Sequence, residues 1–256
     1  MENRGSALKN IDIYSKYLEK NLSFRVYGNG GCPLVAFPTQ DGMCDQWEGF
    51  GMVNVLQDRI ENGEIQLFCL DTIDVQTWSN KYARKVWRAQ RQENYFRFVI
   101  EEFLPFVSRL NDSGIPPLAV GCSLGAAHAA NALLRRPELF SGMIGLSGAY
   151  DARYFTNGWM NDLWKTNSPV HFLRDLPSDD SRVKLLRDRT IVLCVGQGAN
   201  EEIEMDATAL LENALKEKNI DAWVDWWGKD VSHDWPWWKA QLSYFLPFAL
   251  DEIKNR

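Results

Sequence analysis

The chain has 256 residues, with 28 Lys plus Arg against 34 Asp plus Glu, a formal net charge of −6 and 45% hydrophobic side chains. These proportions exclude intrinsic disorder for the bulk of the chain, because disorder needs low hydrophobicity and high net charge. No apolar run approaches the roughly 18 residues of a membrane-spanning helix, so we expect no membrane partner. No stretch rich in Pro, Gly or Ser offers a linker, and we predict one domain over residues 1–256.

Cysteine usage and the N-terminal residues predict a cytoplasmic location. The five cysteines are odd in number and widely spaced, and no C-x-x-C pair is present. Free thiols in a reducing compartment are therefore expected, with no metal site. Charged side chains such as Glu2, Arg4 and Lys9 interrupt the first twenty residues. They leave no continuous apolar segment for a secretory signal.

One basic cluster gives a reason to consider nucleic acid as a partner. Arg84, Lys85, Arg88 and Arg91 surround Trp87, and single-strand-binding proteins combine cations with aromatic rings in a similar way. Affinity for phosphate rests mainly on an excess of positive charge, however, and this chain is acidic overall. We therefore expect the cluster to be a solvated face, and no nucleic-acid partner.

Short apolar runs alternate with longer segments at helical spacing, which predicts an α/β fold with a mostly parallel sheet and helices on both faces. In chain order, the predicted strands cover residues 11–20 and 22–27 as an antiparallel pair, then 33–37, 65–71, 118–122, 143–146, 191–195 and 222–226. The predicted helices cover residues 52–61, 95–110, 125–135, 206–218 and 236–253. The connection 151–189 has little periodicity, which is typical of a lid or cap insertion.

The most informative motif is Gly121-Cys122-Ser123-Leu124-Gly125, a G-x-S-x-G between a predicted strand and a predicted helix. In a nucleophile elbow a sharp turn at this position exposes the serine hydroxyl, and the glycines let neighbouring backbone pass close by. The simpler alternative is a serine that only caps the helix. The context favours Ser123 as a nucleophile.

A serine nucleophile needs a base, and the chain has three histidines. His128 follows Ser123 by five residues on an Ala-rich helix face and is expected to pack in the core. His171 is expected to be a loop residue in the long connection. His233 follows the last predicted strand by a short loop and precedes a helix, the place in which α/β-hydrolases carry the base.

The acid that orients the base is expected after the predicted strand 191–195. Glu201 and Glu202 both lie in that loop, and Asp206 is a more distant third candidate. Position alone leaves the choice among these carboxylates open.

Together these motifs resemble the esterase D-like, or "putative esterase", family of the α/β-hydrolase fold, which includes S-formylglutathione hydrolases, mycolyltransferases and feruloyl esterases. The resemblance covers roughly residues 22–250. Besides the elbow it rests on Phe140-Ser141-Gly142, Leu146-Ser147-Gly148-Ala149-Tyr150-Asp151 and His233-Asp234-Trp235-Pro236-Trp237-Trp238. Residues 197–201 are similar to the family's Q-G-x-x-D segment, whose last residue is the acid. The resemblance thus implies Glu201, with Glu in place of Asp.

Acyl transfer also needs N–H donors where the carbonyl oxygen becomes an anion. The backbone N–H of Leu124, the residue after the nucleophile, is expected to be one of them. The second is expected from loop 38–42. Similarity to the family's loop implies the N–H of Gln40, with that of Thr39 as the alternative.

Tryptophans are the candidate substrate contacts. The chain has 11 of them, and most are expected in the core because large aromatic side chains dominate buried area. Trp47 and Trp78 follow predicted strands at the carboxyl edge of the sheet, and Trp235 follows His233. We expect these three to wall a substrate pocket.

The resemblance and the motifs together predict a serine carboxylesterase or related acyl hydrolase. It would act on a small-molecule ester or thioester through an acyl-Ser123 intermediate, with no cofactor. An acyltransferase using the same triad, and a non-catalytic binding module on the hydrolase fold, stay open as alternatives. The sequence predicts no particular oligomeric state.

Overall fold

The computed structural model describes residues 8–256, which form a mixed sheet of eight strands. The strands are β1 (Lys9–Ser15), β2 (Lys20–Tyr27), β3 (Cys32–Phe37), β4 (Ile65–Leu70), β5 (Leu118–Cys122), β6 (Gly142–Leu146), β7 (Thr190–Val195) and β8 (Trp223–Trp226). Their order is β1-β2-β4-β3-β5-β6-β7-β8. β2 pairs antiparallel with β1 and β4, and the other pairs are parallel. The predicted α/β class is confirmed. Glu2 and Arg4, on which part of the N-terminal prediction rested, lie outside the described residues.

The helices are α1 (Gln46–Gly49), α2 (Met52–Glu61), α3 (Lys85–Arg97), α4 (Leu104–Leu110), α5 (Leu124–Arg135), α6 (Arg153–Thr156), α7 (Asp162–Thr166), α8 (Pro169–Asp175), α9 (Ser181–Leu186), α10 (Glu202–Glu217) and α11 (Trp235–Lys254). A π-helical segment, Phe98–Phe103, joins α3 to α4. Among the described residues, no helix is both long and apolar enough to cross a bilayer.

Two apolar cores cover the two faces of the sheet, which is why the central strands are buried along their whole length. On β3, Leu34 and Ala36 face the core under α2 and α11, whereas Val35 and Phe37 face the larger core under α3, α5 and α10. The parallel strands all end at the same edge of the sheet. The loops after β3, β5, β7 and β8 therefore meet there.

The helix predicted at residues 95–110 begins ten residues earlier, at Lys85. Its first turns bury Arg88 and Gln92 beside Ala89, so polar residues stand where an apolar stripe was expected. The side chain of Arg88, only 2% exposed, donates to the carbonyl oxygens of Trp78 (2.7 Å) and Phe155 (3.1 Å). The expectation of a solvated basic face is wrong for this residue.

The long connection 151–189 contains four short helices, α6 to α9, rather than an irregular loop. Trp164, Leu173 and Val183 in this segment have no exposed surface and belong to the larger core. Each helix is four to seven residues long. Segments this short show too little periodicity to be recognised in sequence.

Candidate active site

Ser123 occupies a sharp turn between β5 and α5, with φ of 56° and ψ of −127°. A non-glycine residue adopts this strained backbone conformation only where the surrounding structure enforces it. The flanking glycines explain how the turn fits. A Cβ on Gly121 would lie 2.2 Å from the carbonyl carbon of Gly125, and one on Gly125 would lie 2.4 Å from the carbonyl oxygen of Phe37. The local geometry is that of a nucleophile elbow.

The structure brings Ser123, His233 and Glu201 together from three different loops. His233 Nε2 lies 2.9 Å from Ser123 Oγ, and His233 Nδ1 lies 3.3 Å from Glu201 Oε2. The Glu201 side chain is fully buried, whereas the His233 side chain is 17% exposed. This chain of contacts has the geometry of a Ser-His-acid triad.

Close backbone packing between two loops sets the distance from His233 to Glu201. The His233 N–H donates to Ala199 O (3.0 Å), and the Gly198 N–H donates to Val231 O (2.8 Å). A Cβ on Gly196 would lie 2.2 Å from the Val231 oxygen, and one on Gly198 would lie 2.6 Å from it. Gly196 and Gly198 therefore allow the loop that carries Glu201 to reach His233.

The other two acid candidates of the sequence analysis point elsewhere. Glu202 and Asp206 are both exposed, and neither has a contact with His233 within 4.0 Å among the described residues. Glu204, which the sequence analysis did not consider, is buried, and its Oε2 lies 4.0 Å from His233 Nδ1. Burial raises the pKa of the Glu204 carboxyl, and the charge of His233 opposes that rise.

Two further residues hold the Glu201 side chain in place. Ser147 Oγ donates to Glu201 Oε1 (2.6 Å) and accepts from Trp238 Nε1 (3.1 Å). The Trp238 ring packs edge-on against His233, with centroids 4.8 Å apart. Ser147 and Trp238 both lie in segments on which the family resemblance rests. Nothing in those segments indicates that either side chain belongs to the network around Glu201.

The two predicted oxyanion donors lie beside the elbow and in the turn after β3. Leu124 is the first residue of α5, so its N–H has no acceptor within the helix. The Thr39 N–H is occupied, because it donates to Gln46 Oε1 at 2.8 Å. Among the described residues the Gln40 N–H has no acceptor. This difference favours Gln40 over Thr39.

Two of the three predicted substrate contacts are core residues. Trp47 is 1% exposed and Trp78 is 2% exposed, and Trp78 packs edge-on against Trp164 at 4.8 Å between centroids. A side chain without accessible surface offers nothing to a substrate, so their assignment to a pocket wall is wrong for this structure. Both tryptophans do follow strands at the sheet edge, but a linear sequence does not encode which way their rings turn.

Trp235, the third predicted contact, is 7% exposed. Its ring stacks on the exposed Phe50 with centroids 4.7 Å apart, and its edge meets Trp238 at 5.3 Å. The Trp235 ring therefore packs against both Phe50 and Trp238. Of these three aromatic side chains, Phe50 is the exposed one.

The remaining histidines are buried away from the elbow serine. His128 Nε2 lies 3.0 Å from Asp74 Oδ1 in the core, as the sequence analysis expected. His171 was expected in a loop but lies buried in α8, where its Nδ1 is 2.9 Å from Ser168 Oγ. Burial lowers the pKa of His171.

Glu201, Glu204 and His233 each offer a potential metal-ligand atom, and these atoms lie within 4.8 Å of one another. The imidazole nitrogen in this group is the Nδ1 that faces Glu201. A metal on that atom would replace the hydrogen bond that orients the base. The geometry of the group thus fits acid–base chemistry better than metal binding, and the absence of a metal or cofactor requirement stays a prediction.

Comparison with solved structures places the fold. A ferulic acid esterase superposes with a TM-score of 0.76 at 18% identity, covering 97% of this chain and 99% of that one. An S-formylglutathione hydrolase from Agrobacterium tumefaciens gives 0.75 at 14% identity, with 99% and 98% covered. The fluorophosphonate-binding serine hydrolase F of Staphylococcus aureus gives 0.67 at 12% identity, with 96% and 99% covered. The predicted α/β-hydrolase fold is confirmed.

No curated protein sequence matches the chain. The family profile described as "Putative esterase" matches residues 15–249, which is most of the chain. With the fold, this match confirms the family predicted from the elbow and histidine motifs. The chain belongs to the putative esterase family of the α/β-hydrolases, and it is an esterase.

Proposed function

We propose that the chain hydrolyses carboxylic esters or thioesters of small molecules through an acyl-Ser123 intermediate. The observation that supports this most directly is the contact of His233 with Ser123 Oγ at 2.9 Å on one ring nitrogen and with buried Glu201 at 3.3 Å on the other. A hydroxyl becomes an effective nucleophile when a base takes its proton in this way.

In the first half of the reaction, Ser123 Oγ attacks the carbonyl carbon while its proton passes to His233 Nε2. The carbonyl π electrons move to oxygen, where the N–H groups of Leu124 and Gln40 stabilise the anion. Glu201 stabilises the imidazolium through Nδ1. Collapse expels the alcohol or thiol, which takes the proton from Nε2. Water then repeats the sequence on the acyl-enzyme and releases the acid.

Segment 151–189 is proposed as a fixed cap within a single domain. Its apolar side chains are continuous with the main core, and Arg88 ties it to loop 77–78 through Phe155. A segment anchored in this way needs no opening motion.

We propose the cytoplasm as the site of action and no nucleic-acid partner. All five cysteines are free, and four of them are buried, which suits a reducing compartment. The acidic net charge supports a substrate other than nucleic acid.

A fluorophosphonate probe tests the nucleophile. We expect stoichiometric labelling of the wild-type chain at Ser123, no labelling of Ser123→Ala, and no loss of activity with iodoacetamide. The last expectation follows because the neighbouring Cys122 is buried, which raises the pKa of its thiol. An unlabelled wild-type chain would favour the non-catalytic binding module.

Nitrophenyl esters of graded chain length test ester hydrolysis. A feruloyl ester and S-formylglutathione, the substrates named for two structural neighbours, belong in the same panel. Product analysis in the presence of added alcohol or thiol separates hydrolysis from acyl transfer. Release of free acid throughout supports the hydrolase, whereas capture of most acyl groups by the acceptor would favour the acyltransferase.

A further inference from the structure

The loop after β3 ends in a tight turn formed by Thr39, Gln40, Asp41 and Gly42, which we call the oxyanion turn. The Gly42 N–H donates to Thr39 O at 2.9 Å and closes it. Asp41 has a φ of 61°, an uncommon conformation for a residue with a side chain. Contacts from outside must therefore hold this turn in place.

Gln46, the first residue of α1, clamps the start of the turn. Its Oε1 accepts from the Thr39 N–H at 2.8 Å, and its Nε2 donates to Thr39 Oγ1 at 2.8 Å. The absence of a side chain at Gly42 makes room for this amide, because a Cβ there would lie 2.5 Å from Gln46 Oε1. The amide side chain thus fills a space that only glycine leaves open.

Ser79 holds the middle of the turn from the opposite side. Its Oγ accepts from Gln40 Nε2 and donates to Asp41 Oδ1, both at 2.7 Å. The Ser79 N–H in turn donates to Asp74 O at 2.9 Å, which ties the serine to the loop after β4. One hydroxyl therefore restrains both central residues of the turn.

These contacts use the N–H groups of Thr39 and Gly42 and leave those of Gln40 and Asp41 without acceptors among the described residues. Preorganised donors stabilise an oxyanion well because they need no reorientation during the reaction. We propose that Gln46 and Ser79 are positioning residues that hold the oxyanion turn so that the Gln40 N–H faces the developing anion. This inference rests on the proposed acyl-Ser123 mechanism.

The test compares Gln46→Leu and Ser79→Ala with the wild-type enzyme. Gln46→Leu removes both bonds to Thr39 at similar volume. The matched control is Gln57→Leu, because Gln57 is exposed on α2 and, among the described residues, its side chain bonds only to Glu61. The measurements are kcat and KM for a nitrophenyl ester and Ki for a trifluoromethyl ketone. In the ketone complex Ser123 Oγ bonds to the carbonyl carbon, its proton passes to His233, and the oxygen becomes an anion.

Loss of a whole oxyanion donor costs about 10²–10³-fold in kcat, so displacement of one should cost about 10–100-fold. We expect that loss in Gln46→Leu with KM within about twofold, a smaller loss in Ser79→Ala, and no change in the control. The Ki for the ketone should rise by the factor by which kcat/KM falls, since both report stabilisation of the oxyanion. A residue needed only for folding would lower the active-site titre and leave kcat per site unchanged.

Labelling of the wild-type chain by a fluorophosphonate, done first, distinguishes failure of the proposed function from failure of the positioning role. If the wild type is not labelled, the proposed function fails. If it is labelled and both variants keep kcat and ketone Ki within twofold, the positioning role is overturned. Should Gln46→Leu not fold, Ser79→Ala carries the test, because Ser79 is partly exposed and tolerates truncation. An unchanged ketone Ki in that variant would then overturn the role.

Discussion

Ser147 donates a hydrogen bond to Glu201 across 2.6 Å, and neither side chain has any exposed surface. The bond occupies Oε1 and leaves Oε2 directed at His233. Because the Ser147 hydroxyl also accepts from Trp238 Nε1, the acid, its support and the ring beside the base form one connected network. The position of the acid is thus set from β6 and α11 as well as from its own loop.

We predict that Ser147→Ala lowers kcat on the order of 10-fold, by analogy with the roughly 10–100-fold losses when outer-shell partners of metal-ligating histidines are removed. Stability should fall by about 1–3 kcal/mol, since two buried polar groups lose their partner. Steady-state kinetics and urea unfolding measure both effects. Ser141→Ala is the control, because the Ser141 hydroxyl has no hydrogen-bond partner in the described residues. Equal effects of the two substitutions would contradict the network.

Glu201→Gln should lower kcat substantially, with a loss of up to about 10⁴-fold, because an amide can donate where the imidazole N–H needs an acceptor and so favours the wrong tautomer. Glu202→Gln should stay within a few-fold of wild type, since Glu202 is exposed. Nitrophenyl ester kinetics measure both variants. The reverse order would make Glu202 the orienting acid. Full activity in both would direct the search to Glu204 and Asp206.

That Ser123, His233 and Glu201 lie close together was predictable because each follows a strand at the same sheet edge, and because elbow and histidine motifs are local in sequence. The choice of Glu201 over Glu202 needed the family resemblance, and in the structure Glu201 is buried beside His233 whereas Glu202 is exposed. Adjacent residues at the start of a helix point in directions that a linear pattern does not encode.

Glu204 was not among the predicted site residues because α10 was expected to begin at Asp206, whereas it begins at Glu202. Once the helix includes residue 204, Glu204 lies about one turn from Glu201 and faces the same way. The orientation of the Trp47 and Trp78 rings could not be predicted from the sequence either. Both rings turn into the core through contacts with residues distant in sequence, such as Trp164 for Trp78.

Gly125→Ala should strongly destabilise the chain and abolish ester hydrolysis. The new Cβ would meet the carbonyl oxygens of Phe37 and Pro38 at 2.4 Å, at the base of the oxyanion turn, so the backbone must shift. Thermal unfolding and ester kinetics measure the effect. The control is Gly30→Ala, because a Cβ there meets nothing within 4 Å. A Gly125→Ala chain with wild-type Tm and activity would contradict the close packing of α5 against β3.

The last prediction concerns the activity of Glu204→Gln and the pH dependence of its stability. The titratable groups that act on Glu204 are His233, Glu201 and Glu202. Its Oε2 lies 4.0 Å from His233 Nδ1, and two charges at that distance interact by at least about 1 kcal/mol. The imidazolium that forms as Ser123 attacks would lose this attraction in Glu204→Gln, so kcat/KM at pH 8 should fall about fivefold. The exposed Glu202→Gln serves as control and should lower it less.

Stability should change in the opposite direction from activity. Burial raises the pKa of the Glu204 carboxyl above its ordinary value of 4.5, so the folded chain holds this proton more tightly than the unfolded chain does. The stabilisation is complete below the unfolded value and is lost as pH rises through the raised folded value. Glu204→Gln has no charge to bury, so its Tm should exceed that of the wild type at pH 8, and the difference should shrink as the pH falls through the raised folded value and disappear below about 4.5. Thermal unfolding from pH 4 to 8 measures this difference. A Tm difference independent of pH, together with an unchanged kcat/KM, would show that Glu204 is not coupled to His233.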